Sequence, residues 1–252
     1  MDRDFPIVHA ITDSAALERA DFPDTARRVM SALGPRGAVH LRTTRMSGRR
    51  FHDLAALLAQ HQETCGCWLI VNDRVDIAAA VGAWGIQLAS HSLSVSEARA
   101  VAVDIPVGAS VHSVDEAREA QASGASWCVA GTVFETPSHP GQAPSRIPFI
   151  RDVARAVSIP VIAIGGIQPE NVEELLRAGA YGVATIRGAD WDRRTTSTAE
   201  MDLRKETRLP NRPRIASREP VTRYISAYDA VSERGRDDHA DGERSPAGDS
   251  TR

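Results

Sequence analysis

Apolar residues in this chain come in short unbroken runs, each followed by a longer stretch in which apolar positions recur at helical spacing. The runs are Ile7–Thr12, Gly37–Arg42, Trp68–Asn72, Gly85–Leu88, Ile105–Ser110, Ser126–Gly131, Pro160–Ile164 and Gly182–Ile186. Strands covered on both faces read in this way. The stretches between them predict helices over Asp24–Leu33, Gly48–Gln62, Asp73–Val81, Val95–Ala102, Val114–Ala122, Ile147–Val157 and Pro169–Ala178. Ser113 with Glu116 three residues on has the form of a capping box, and Pro169 falls in a first helical turn. Gly124 and Gly179 stand where helices should stop. Eight strands alternating with helices predict a (β/α)8 TIM barrel. A doubly wound open sheet is the competing α/β arrangement, because strand order is not visible in a sequence.

The rhythm ends near Gly188, so residues 1–189 carry the barrel units. Residues 190–218 are polar, rich in Arg and Thr, and read as a flexible insertion. Residues 219–232 place Val221, Tyr224, Ile225, Tyr228 and Val231 at helical spacing and predict the delayed last barrel helix. Residues 233–252 are charged and read as a disordered tail.

Composition narrows the class. An apolar share of 42% with 5% aromatic residues suits an α/β core. The net charge of −3 gives no electrostatic reason for a nucleic-acid or membrane-surface partner. Cys65-Gly66-Cys67 lacks the spacer of a redox or zinc pair, so these and Cys128 are expected as reduced thiols of a cytoplasmic protein. No apolar stretch approaches the roughly 20 residues of a membrane span, and no signal peptide is expected at the N-terminus.

In a (β/α)8 barrel the reacting groups come from the C-terminal strand ends and the loops after them. Those ends are Thr12 and Asp13, His40 and Arg42, Asn72 and Asp73, Gln87, Ser110 and His112, Gly131 and Thr132, Gly165 and Gly166, Arg187 and Gly188. Gly165-Gly166 precedes a helix start, so backbone N–H groups can approach an anion with no Cβ in the way. Loops seven and eight are the usual phosphate seat of this architecture, and Arg187 beside Gly188 adds a fixed positive charge. Arg42 suits a second anion such as a carboxylate, or else a salt bridge at the rim. His40 shares the strand face of Arg42, and His112 that of Ser110. These two histidines are the candidates for acid–base work. Residues 131–146, rich in Pro, Gly and Ser, read as a lid or as an irregular connection.

The motifs HAITD (9–13), VHLR (39–42), VNDRVDIA (71–78), GASVHS (108–113), GTVFET (131–136) and PVIAIGGIQPENV (160–172) resemble the thiamine-phosphate synthase/TenI superfamily. The resemblance covers Ile7 to about Gly188 and implies ligands from the thiazole-phosphate branch of thiamine biosynthesis. The superfamily holds a magnesium-dependent synthase, which joins a hydroxymethylpyrimidine diphosphate to a thiazole phosphate. It also holds a metal-free TenI-type tautomerase, which shifts a double bond in a thiazole carboxylate phosphate.

Against the synthase pattern, Thr44 replaces a lysine, Ser92 the second magnesium carboxylate, and His139 another lysine. Asp73 matches the first carboxylate and reads as the remnant of a metal pair, or as a cap on the helix after it. The TenI pattern is closer, except that Thr132 stands where the tautomerase has a proton-transferring histidine. The resemblance therefore implies a TenI-type enzyme without metal or other cofactor. His112 or His40 would move the proton, and Arg42, Asn72, Ser110, Thr132, Gly165, Gly166, Arg187 and Gly188 would hold a thiazole phosphate. A synthase with a rebuilt diphosphate site and a non-catalytic phosphate-ligand protein remain as alternatives. A homo-oligomer is left open.

Overall fold

The structure is a computed structural model that describes residues 4–43, 45–136, 146–189, 191 and 220–240, the side chains of 235–240 excepted. Eight parallel strands form a closed barrel in sequence order. They are β1 (Val8–Ile11), β2 (Gly37–Leu41), β3 (Trp68–Asn72), β4 (Gly85–Leu88), β5 (Val107–Val111), β6 (Trp127–Gly131), β7 (Val161–Ile164) and β8 (Gly182–Thr185). The pairing of β8 with β1, Val183 opposite Val8, closes the ring and excludes the open sheet.

The helices are α1 (Ser14–Glu18), α2 (Phe22–Leu33), α3 (Gly48–Cys65), α4 (Val75–Val81), α5 (Val95–Val101), α6 (Val114–Ala122), α7 (Arg146–Ala156), α8 (Val172–Arg177) and α9 (Thr222–Ala240). The short α1 was not expected. Asp13, a strand-end candidate, caps it by accepting the Ala16 N–H at 2.7 Å. Helix α9 packs on α8 and α2 and continues to Ala240, where the composition predicted a tail from 233. Ser113 caps α6 through the Glu116 N–H, but the Glu116 carboxylate turns to the His112 N–H. A reciprocal capping box forms instead at Ser94 and Glu97 of α5. Among the described residues no helix is long and apolar enough to cross a membrane.

Alternation along each strand separates two cores. Val39, Leu41, Leu69, Val71, Cys128 and Ala130 face the helices, whereas Ala38, Trp68, Ile70, Trp127, Val129 and Ile162 fill the barrel. The fully buried Trp127 sets the size of its neighbours. A Cβ on Gly108 would lie 2.1 Å from its ring, so β5 needs glycine there for space. Its indole N–H donates to Gln87 Oε1 at 2.8 Å, and Gln87 Nε2 donates to Ser110 Oγ at 3.1 Å. Phe5 lies across the other end, its ring 5.1 Å from Trp127 and 5.6 Å from His9.

His9 and His40 are fully buried inside the barrel and bonded to each other, Nδ1 to Nε2, at 2.8 Å. Burial lowers His9 from 6.5 to about 4 and holds His40 well below the ordinary histidine value. Both imidazoles bind protons less readily folded than unfolded. Below the ordinary value of 6.5 the unfolded chain therefore takes up more protons, and stability falls. This contribution is complete above that value. It is lost on acidification by about 1.4 kcal/mol per pH unit for each histidine, until His9 itself titrates near 4. Urea unfolding midpoints should be level above about pH 7 and decline from about pH 6.5 downward. A midpoint unchanged down to about pH 4.5 would contradict neutral burial of the pair.

Candidate functional site

A cavity of about 440 Å³ opens at the C-terminal ends of the strands, where every expected site residue except His40 lies on its wall. Arg42, Asn72, Ser110, His112, Thr132, Gly165, Gly166, Arg187 and Gly188 line it together. His40 does not. It shares the strand face of Arg42, as the spacing predicts, but sits two residues deeper and is sealed against His9. Sealed from the cavity, it is not placed to touch a ligand there.

The loops after β7 and β8 are built around glycines. Gly165 and Gly166 have φ of 108° and 63°, a conformation that favours glycine. Added Cβ atoms would meet Thr132 Cγ2 at 2.5 Å and Glu135 O at 2.5 Å. The loop after β6 thus rests directly on the Gly165-Gly166 turn, joined by Val133 N–H to Ile164 O and Phe134 N–H to Gly165 O. Gly188 plays a different part from the one expected. Its N–H donates to Thr185 Oγ1 at 3.0 Å, so that group is already committed within the chain.

Tyr224 ties these loops together from α9. Its hydroxyl donates to Ile167 O at 3.0 Å and lies 3.4 Å from Thr185 Oγ1. Trp191, at the start of the segment expected to be a flexible insertion, is buried and donates to Ile11 O at 2.8 Å. The remainder of that segment, like Thr44, His139 and most of the expected lid, lies outside the described residues.

On the other side of the mouth, Arg42 is exposed, and among the described residues its guanidinium has no ion-pair partner. Its backbone exchanges hydrogen bonds with Thr12 Oγ1. His112 Nδ1 lies 2.7 Å from Gly131 O. A carbonyl can only accept, so Nδ1 carries a proton, and the neutral form of the ring has its lone pair on Nε2.

Asp73 does not cap α4; Arg74 occupies that position without a side-chain cap. With φ of 62°, Asp73 reaches to the loop after β4, where Oδ1 accepts from Ala89 N–H at 3.0 Å and from the Ser92 hydroxyl. The magnesium ion of the synthase pattern needs several oxygen donors in octahedral array. Here one carboxylate has a hydroxyl and an amide for partners, where the synthase pattern has two carboxylates.

The cavity also has walls that strand-end counting missed: Ala89, Ser90, His91, Glu135, Thr136, Gln168 and Thr185. All but Thr185 lie on loops, whose direction no periodicity reveals. The resemblance motif GTVFET, which contains Glu135 and Thr136, was the available signal.

Residues 8–189 match the family described as thiamine monophosphate synthase, TMP-TENI. The chain belongs to this family. It is similar to the thiamine-phosphate synthase of Pyrococcus abyssi, 37% identical over 161 residues, spanning 64% of this chain and 78% of that one. The thiamine-phosphate synthase of Methanoculleus marisnigri is 35% identical over 184 residues, 71% of this chain and 85% of its own. A solved thiamine phosphate pyrophosphorylase from Pyrococcus furiosus superposes with a TM-score of 0.70 at 27% identity, covering 89% of this chain and 96% of that chain. Membership of the TMP-TENI family places this protein in thiamine biosynthesis.

The support under loops seven and eight can be tested by itself. A Cβ on Gly188 would lie 2.1 Å from Tyr224 Oη and 2.6 Å from Thr185 Oγ1. Gly188→Ala should therefore destabilise by about 1–3 kcal/mol through overpacking. Tyr224→Phe should cost about 1–2 kcal/mol by leaving Ile167 O unpaired. Urea denaturation checks both, and wild-type stability in either variant would remove Tyr224 from this role.

Proposed function

We propose that the protein is a TenI-type enzyme that binds and isomerises a thiazole carboxylate phosphate without a metal. The observation that carries this reading is the Asp73–Ser92 contact. At the place where the synthase pattern has two carboxylates for a cation, this chain has a carboxylate closed on a hydroxyl. A magnesium diphosphate brings charge that this pair is not built to neutralise. A ligand with one phosphate and one carboxylate fits the cations on the wall better.

Under this proposal the phosphate sits against the Gly165-Gly166 turn with Arg187 beside it, and Gly188 shapes the loop instead of donating to it. Beyond β8 the barrel runs to β1 and β2, and Arg42 at the end of β2 takes the carboxylate. Moving a double bond requires a proton to leave one carbon and another to arrive elsewhere on the conjugated system, with no net change in composition. His112 Nε2 is the lone-pair nitrogen on this wall and takes the proton. Negative charge then spreads toward the carboxylate, where Arg42 stabilises it. Thr132 cannot act as the base near neutral pH and serves as wall.

The names of the relatives favour a second reading, a thiamine-phosphate synthase that joins hydroxymethylpyrimidine diphosphate to thiazole phosphate. It would have to manage diphosphate with Arg45, Arg187 and His139.

Proton NMR of the thiazole carboxylate phosphate tautomer with metal-free protein separates the readings. Conversion well above the uncatalysed rate is expected, and His112→Gln should lower kcat by about 10²–10⁴-fold while the ligand still binds. Magnesium-dependent thiamine phosphate formation would establish the second reading, and binding without turnover would mean a non-catalytic protein. The metal argument has its own test. Magnesium should leave the melting temperature of the wild type unchanged and raise that of Ser92→Asp, which restores a carboxylate pair.

A further inference from the structure

Gln87 is a buried amide in β4, and no step proposed above uses it. Its surroundings fix which way that amide faces. Strand register sets Gln87 beside Gly108 and Gly108 beside Trp127, so the three share one row across β4, β5 and β6. Having no side chain, Gly108 lets the indole cross β5 and reach the amide. The indole N–H can only donate, so the amide atom 2.8 Å from it is Oε1. Nε2 is then the other atom, and it lies 3.4 Å from Leu88 O, which can only accept. Both neighbours assign the amide in the same sense.

The assignment passes on to Ser110. Nε2 can only donate, so at 3.1 Å the Ser110 oxygen accepts from it. One lone pair of that oxygen is thereby taken, and the hydroxyl keeps its own hydrogen to give. Among the described residues no acceptor meets that hydrogen, and Ser110 lies on the cavity wall. A half-buried donor in this position favours a ligand that brings an acceptor to it. The hydrogen bonds therefore run in one direction, from Trp127 to Gln87 to Ser110 and on to the ligand.

We propose that Trp127 and Gln87 are positioning residues, which hold Ser110 as a hydrogen-bond donor to the ring nitrogen of the bound ligand. The ligand end rests on the thiazole carboxylate phosphate reading given above; the direction of the hydrogen bonds does not. On that reading the phosphate goes to the Gly165-Gly166 turn and the carboxylate to Arg42. The ring nitrogen is the remaining strong acceptor, with a lone pair and no hydrogen. Ser110 precedes His112 by two residues and shares its strand face, one step deeper. When His112 takes the proton from carbon, charge spreads into the ring, and a donor at the nitrogen stabilises it. Ser110 itself transfers no proton.

The probes are the thiazole carboxylate phosphate and its thiophene analogue, in which a C–H replaces the ring nitrogen. Full-length wild type should bind the thiazole at least about fivefold more tightly, the effect of one hydrogen bond. Gln87→Leu and Trp127→Phe should each bring the two affinities within about twofold, as should Ser110→Ala, which removes the donor. Both ligands are measured on the same folded variant, so a merely structural defect weakens both alike and preserves the ratio. A wild type that treats the two ligands alike, or a Gln87→Leu variant that keeps the full preference, overturns the positioning role. NMR tests the hydrogen bonds without a ligand. In ¹³C,¹⁵N-labelled protein a coupling across the hydrogen bond should join the Trp127 indole nitrogen to the Gln87 side-chain carbonyl carbon. Its absence overturns the proposal whatever the cavity binds. Failure of the wild type to bind either probe overturns the reading of the site and the ligand end with it, and the coupling still decides the rest.

Discussion

Closure of the sheet, with β8 paired to β1, is the constraint on which the rest of the molecule depends. A closed parallel sheet has an inside and an outside, and every second residue must choose between them. Outside lie Val, Leu and Ala against helices; inside, space is so limited that Trp127 demands glycine at 108. The same closure delivers eight strand ends to one rim. The cavity walls come from strands far apart in the chain: Arg42 after β2, Asn72 in β3, His112 after β5 and Arg187 after β8.

The closed ring also needs a layer of helices outside it. After β8 the next described helix is α9, which packs against α8 and α2. This helix does more than cover a face. Through Tyr224 it holds Ile167 O and Thr185, the supports of the two loops to which the phosphate reading is attached. Stability and the shape of that part of the site therefore have a common origin in one hydroxyl.

Much of this was legible in the sequence because strand periodicity is strict. The alternating faces put Arg42, Asn72, Ser110 and His112 on one rim, and all four line the cavity. Periodicity gives direction, however, and not depth. His40 and Arg42 share a face, but two residues along a strand separate a sealed interior from an open mouth. Loop residues were less accessible still. Asp73 could be recognised as a carboxylate without its usual partner, but its bond to Ser92 depends on the path of two loops that carry no periodic signal. In the sequence Tyr224 is one apolar position on a helix, since nothing local to residues 219–232 shows which carbonyl its hydroxyl will meet.

The departures from the synthase pattern make better sense together than singly. Removing one carboxylate of a metal pair leaves the other half-buried just after a strand end, where partners for its charge are still favourable. Ser92 and the Ala89 N–H supply the missing partners, so the loops after β3 and β4 remain joined without an ion. The same site also lacks the lysine at 44, and the lysine after β6 is the histidine at 139. A diphosphate with its cation loses on both counts: the anion has fewer cations to meet, and the cation has fewer anions. On the proposed reading a ligand carrying one phosphate loses little, because the Gly165-Gly166 turn and Arg187 remain on the cavity wall. On the proposed reading, charge balance, more than any single residue, separates the two activities of the family.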